Sequence, residues 1–336
     1  MAAAVGDAEQ SVTYADRSGC GDWRNFINTR TTHAGALHQA GRRAEAETRF
    51  REAEQMQKEM QPDYPLLYSL RGFQYCDLLL AAPERAAWQG LLECARPRAQ
   101  QAPQARTASE YSEAPDSKST AAAGDGRTPL VESCRAVSAR AAQTLKWMQA
   151  DSGAPLLDIA LDHLTLGRAA LYAAILDGSR RREEADGPPN APDLRLLTSA
   201  ATELDAAVAG LRRAGQVQEL PLGLLTRAWL RFLTGARTGP ESAQADLDEA
   251  WEIAERGPMP LFLADIHLHR ARLFGISSDE VRMPNEAKQY PWNQNPDGSP
   301  RGPNDDLAAA RRLIFKHGYL RRQEELEDAE AALLAK

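Results

Sequence analysis

The first residues in this chain that could do chemistry are His267 and His269, in the stretch DIHLHRA. A helix turns about 100° per residue, so side chains two apart point about 200° from each other and cannot grip one metal as an i, i+4 pair can. Both are expected to be ordinary hydrogen-bonded histidines, and no metal or other cofactor is expected. The adjacent acids Glu183–Glu184 and Asp305–Asp306 would pair a general acid with a general base only in an apolar setting that raises one pKa. Neither pair has one, so solvated faces and helix caps are the expected roles. Three arginines, Arg71, Arg227 and Arg270, each stand one residue before a small residue, in RGF, RAW and RAR. Two readings stay open: stems packed between helices with heads on acids of a neighbouring unit, or a row of donors for an acidic ligand. The chain has no phosphate-binding G-x-x-x-x-G-K-[ST], G-x-G-x-x-G, H-E-x-x-H or G-x-S-x-G pattern, and the expectation is a protein that is not an enzyme.

The elements that must position these residues follow from composition. The 336 residues are 43% hydrophobic, only 6% aromatic and 26% charged, rich in Ala, Leu, Arg and Glu, which favours a nearly all-α fold. A formal charge of −7 gives no basic footprint, so neither nucleic acid nor a membrane surface is an expected partner. Cys20, Cys76, Cys94 and Cys134 form no C-x-x-C pair, and Cys76 and Cys94 fall in helical patterns as small apolar residues, which fits a reduced, cytoplasmic setting. Apolar runs such as ALYAAIL stay below 18 residues, and no export or spanning segment is expected.

Self-similarity organises the rest. Ala46, Phe50 and Ala53 follow Gly41 by five, nine and twelve residues, a small, large, small stripe on one helix face. Ala87, Leu91 and Cys94 repeat it, as do Ala207, Leu211 and Ala214, and Ala243, Leu247 and Ala250. Before each stripe lies another helical pattern with a small residue mid-way: Gly72, Gly167, Ala228 and Ala271. Spacings of 41 residues from Ala46 to Ala87 and 36 from Ala207 to Ala243 give two helices per unit. With Tyr68, Gly72 and Tyr75 in one first helix and Ala46, Phe50 and Ala53 in a second, the pattern resembles the tetratricopeptide repeat (TPR) family.

The resemblance implies a right-handed α-solenoid of antiparallel helix hairpins, about five of them, closed by a C-terminal capping helix with a polar outer face. It divides the chain into an N-terminal tail at 1–24, repeats at 25–95, a disordered insertion at 96–130, repeats at 131–274, a long loop at 275–304, and the last repeat helix plus cap at 305–336. A shorter gap is expected between helices ending near Ile175 and starting near Leu194, and Asp305 or Asp306 is expected as the N-cap of the last repeat helix.

The resemblance also implies a protein or peptide partner lying on the concave side, which first helices line. The positions that carry over are Leu66, Ser69, Phe73 and Cys76, then Leu161, Leu164, Arg168 and Leu171, then Leu222, Leu225, Trp229 and Phe232, and finally Asp265, Leu268 and Arg272. The candidate partner-binding set is Ser69, Phe73, Leu164, Arg168, Trp229, Phe232 and Arg272 with Arg71, Arg227 and Arg270; core packing between curved layers is the competing role for the apolar members. A scaffold is the first implication. A sensor or regulatory piece controlling a signalling NTPase or effector enzyme, as in bacterial signalling proteins with degenerate arrays, is the second. Oligomeric state is left open.

Ala95 to Leu130 is rich in Ala, Pro, Ser, Gln and Gly without an apolar period, so burial cannot offset the entropy of ordering it. Replacing residues 99–126 with a short Gly-Ser linker should therefore change stability by no more than about 1 kcal/mol, read as a thermal melt of the two proteins side by side.

Overall fold

The computed structural model describes residues 1–18, 22–94, 128–184, 193–276, 295, 298–299 and 301–335. Among them the protein is all-helical, with no strand. The expected insertion at 96–130 up to residue 127, and most of the loop at 275–304, lie outside the described residues.

A first helix, α1 (Ala2–Ser18), stands where a tail was expected, because Val5 and Ala8 give it an apolar edge to lay on α2 (Trp23–Gln39). From α2 onward the helices pack as successive partners: α2 with α3 (Arg43–Met60), α4 (Ser69–Cys94) with α5 (Thr128–Ala150), and α6 (Leu156–Glu184) with α7 (Leu194–Ala214). Then come α8 (Leu220–Leu233) with α9 (Ala243–Arg256), and α10 (Pro260–Arg270), prolonged by a π-helical turn over Ala271–Ile276, with α11 (Pro303–His317). A 3-10 turn, Leu320–Arg322, leads into α12 (Gln323–Leu334).

The small, large, small stripe does what its spacing demands. Ala46, Phe50 and Ala53 are fully buried against Ile27, Ala34 and Leu37 of α2, and Phe50 stacks on Tyr75 of α4 with ring centroids 5.1 Å apart. Ala207, Ala243, Leu247 and Ala250 are equally buried. Between α6 and α7 the small residues set the distance: a Cβ on Gly167 would lie 2.7 Å from the Leu204 side chain, and one on Gly210 would lie 2.8 Å from Ala160 Cβ.

The second unit is built differently from expectation. PERAAWQGLLECA is not a separate helix; α4 runs unbroken from Ser69 to Cys94 through Pro83. Pro83 donates no N–H and its ring crowds the carbonyl one turn back. No glycine or polar turn adjoins it, and burial of Leu80, Ala87 and Trp88 outweighs the kink. Helix α4 packs chiefly on α6 and less on α5, and α5, itself packed mainly on α6, meets the stripe spacing with Val137, Ala141 and Thr144, a different order of sizes. Helix α6 also continues past Ile175 to Glu184.

The segment Leu156–Gly178 of α6 is long and apolar enough to span a membrane by length and composition, a property the short apolar runs did not suggest, and 78% of its apolar window is buried among α4, α5, α7 and α8. It belongs to a main core running from α4 to the π-turn; a second core holds α1–α4, and a third holds α10–α12 with Leu92.

Gly72 does not set the distance between paired helices. A Cβ there would meet the Leu67 carbonyl oxygen at 2.3 Å, inside the tight turn that enters α4 with Ser69 at φ 59°. Because backbone cannot yield as a side chain can, Gly72→Ala as well as Gly72→Leu should destabilise, by roughly 1–3 kcal/mol, in urea titrations against wild type.

Candidate functional site

The concave positions do not line an open groove. Phe73, Leu164, Arg168, Trp229, Phe232 and Arg272 are all buried, and half-buried Ser69 donates its hydroxyl to Asp158 at 2.5 Å. Side chains of α4, α6, α8 and α10 pack against one another and fill the space themselves. Trp88 of α4 stacks face to face on Trp229 of α8 with centroids 3.6 Å apart, Tyr172 leans on Trp229 at 5.5 Å, and the Arg272 guanidinium lies 4.7 Å over Trp88.

Around this aromatic stack lies a buried cluster of four arginines and four carboxylates. Arg168 of α6 reaches Asp77 at 2.8 Å and Glu84 at 3.2 Å, both on α4. Arg321 grips Asp77 in a two-pronged pair, with Nη2 to Oδ1 at 2.9 Å. Arg322 donates to Glu84 at 2.8 Å, Asp265 at 2.8 Å and Glu325 at 2.5 Å. Arg272 closes the set on Glu325, 3.1 Å to its carboxylate and 2.8 Å to its carbonyl oxygen, while the Tyr319 hydroxyl donates to Asp265 at 3.0 Å. Segment 319–325, near the far end of the chain, thus sits against α4 and α10.

Electrostatics explain why Asp77 and Glu84 stay ionised, while burial raises the Asp265 carboxyl. Burial alone would raise the Glu84 carboxyl, but Arg322, Arg168 and Arg321 outweigh it and hold the pKa down at about 2. Asp77 lies well below the usual range against the same penalty, held by Arg321 and Arg168. Burial drives the bordering histidines the other way, His38 to about 4 and His269 to about 3, with Arg321 and Arg272 respectively adding to the fall, so both are neutral near pH 7.

A groove of about 620 Å³ opens on this cluster between the α2–α3 turn, α4 and residues 320–325. Arg42, Arg43, Ala82, Arg85 and Gln89 line one side, Leu320, Gln323 and Glu324 the other, and His38 and Arg321 lie at its floor. Arg85 ties the walls together through Asp328 at 2.7 Å and Glu324.

The row of three arginines breaks into separate environments. Arg227 forks onto Asp246 at 3.1 and 2.7 Å and reaches Asp205 at 3.2 Å, an arginine head on acids of neighbouring helices. Arg270 lies over Trp251 at 5.2 Å and 3.4 Å from Asp306. Arg71 lies 5.4 Å over Tyr68. No shared ligand site joins the three.

His267 bonds Asp306 at 2.6 Å and His269 bonds the Asp265 carbonyl oxygen at 2.8 Å, so each is a hydrogen-bonded core histidine. Asp306 is fully buried rather than an exposed cap, and Gly302 holds the N-cap position, donating its N–H to Asp305 at 2.8 Å. The side chains of Glu183 and Glu184 lie outside the described residues.

Elsewhere, burial pushes the Cys76 thiol up to about 12, which removes it as a nucleophile. Burial also lifts Asp162 to about 7, although Thr144 donates to it at 2.7 Å. No group of three or more metal-ligating side chains occurs among the described residues. Comparison of the chain with protein families, with curated proteins and with solved structures found no match.

Sequence reasoning missed Arg321 and Arg322, taking YLRRQEEL for a polar outer face. A signal was there: Tyr319, Arg322, Leu326 and Ala329 stand at i, i+3, i+7 and i+10, placing Arg322 on an apolar stripe.

Removing one carboxylate strands buried guanidinium charge, so Glu84→Gln should cost about 3–5 kcal/mol near pH 7. Because the folded pKa of Glu84 is depressed, its contribution is complete above about 4.5 and disappears as pH falls toward 2. Denaturant titrations of both proteins from pH 7 to pH 2.5 should show the gap narrowing over that window.

Proposed function

We propose that this chain is a TPR-like, right-handed α-solenoid that binds a protein or peptide partner and does not itself catalyse a reaction. Four successive helix pairs, α2–α3, α6–α7, α8–α9 and α10–α11, support the architecture, while α4 and α5 both pack chiefly on α6. The observation that carries the binding role is the groove of about 620 Å³ that reaches the ion cluster at Arg321 and Glu325. Its rim carries both charges, with Arg42 and Arg43 on one wall and Arg85 paired to Glu324 across it, and a polypeptide bearing both charges could exchange for that pair. On this reading the partner meets the rim of the groove, while Trp229, Phe232 and Arg168 support it from within.

The regulatory alternative, a sensor piece acting on a signalling NTPase or effector enzyme, draws on one further feature. Ion pairs from Arg321 and Arg85 fasten segment 320–328 to α4, a contact that a partner could make or release.

Affinity capture from source cells tests both. A captured peptide-bearing partner supports the scaffold, and a captured NTPase or effector enzyme supports the regulator. Ala82→Trp places a large ring in the groove at a half-buried position, and that variant should melt near wild type yet lose the captured protein. Undiminished capture by Ala82→Trp would remove the groove as the site, and capture of nothing by wild type would remove the scaffold.

A further inference from the structure

We propose that Asp77, Glu84 and Asp265 form a docking site for two adjacent arginines, that residues 319–325 occupy it within the chain, and that a partner segment bearing an Arg-Arg pair displaces them. This names the partner chemistry for the peptide-binding reading above and rests on it.

Charge is the first argument. Without segment 319–325 the wall comprises Asp77, Glu84 and Asp265 against Arg168 and Arg272, one negative charge in excess. The segment brings Arg321 and Arg322 with Glu325, one positive charge in excess. Each side is incomplete alone, because a buried carboxylate without a cation is costly. Neighbouring side chains on the turn diverge, so Arg321 turns to Asp77 while Arg322 spans Glu84 and Asp265. The wall therefore reads two consecutive guanidiniums, not one.

The second argument is how the occupant is attached. It begins after Gly318, a left-handed residue at φ 65° that ends α11. Its apolar anchors, Tyr319, Leu326, Ala329 and Ala332, belong to the small third core and not to the main one. The fit is also imperfect, since Arg321 keeps a buried Nε with no acceptor among the described residues. The groove lies directly against Arg321 and gives an incoming chain its approach.

A fluorescently labelled peptide of residues 316–330 is titrated into the full chain and into the full-chain double variant Arg321→Ala/Arg322→Ala, with anisotropy as readout. An internal occupant lowers apparent affinity by the fraction of open molecules, so the variant should bind at least about 100-fold more tightly than wild type. A peptide with alanine at both arginine positions should not bind. A variant that keeps its helical circular dichroism and gains no binding overturns the proposal, as does equal binding of both peptides. If the double variant unfolds, Leu326→Ala loosens the anchor while leaving the acidic wall intact, and it should gain binding of the arginine peptide alone. No gain there, or unfolding of both variants, would make 319–325 an integral core element and overturn the proposal. Capture of a partner through the groove without any peptide gain would sink this inference and leave the scaffold reading standing; peptide gain with no captured partner would do the reverse.

Discussion

Arg168 cannot lose its charge, and its guanidinium is 1% exposed; most of the architecture follows from that constraint. A buried cation needs carboxylates in hydrogen-bonding reach, and α4 supplies Asp77 and Glu84 on the side facing α6. Two carboxylates over-neutralise one arginine, so Arg321 and Arg322 are drawn in from the other end of the chain. They meet Asp265 of α10 as well and bring Glu325, which Arg272 faces. Each charge admitted to the interior recruits the next until the set is even.

Local order was legible in the sequence wherever a single helix pair decided it. The stripe of Ala46, Phe50 and Ala53 and the small residue at Gly167 are facts about two adjacent helices, and side-chain volume alone shows what they do. The pairing of Arg227 with Asp246 spans 19 residues and matches one of the two roles left open for that arginine, a long stem reaching a neighbour's acid. Continuity of α4 through Pro83 was hidden because proline is a strong stop signal locally, and only burial on both sides of it overrides that signal.

The site was far less legible. Most positions assigned to a concave groove are buried, and sequence periodicity carries no information about which distant helix covers a given face. Trp229 shows the difference: it lies on an inner face, and its ring is covered by Trp88 and Tyr172. The decisive contact, Arg322 to Glu84, joins residues 238 apart and has no periodic signature. Asp306 likewise looked like a cap because it opens a helix, and proved a buried anion because Arg270 and His267 face it from α10.

The separation between Glu84 and Arg322 also sets an order of events in synthesis. A ribosome adding 5–20 residues per second needs roughly 12–50 s to make the 238 residues between them. Throughout that interval Arg168 can join α4, but Asp77 and Glu84 keep an uncancelled negative charge and must stay wet. The cluster is therefore completed only once residues 319–325 have emerged. The ion pairs of segment 319–325 thus join α4, α6 and α10 across a separation in sequence that no local helix contact bridges.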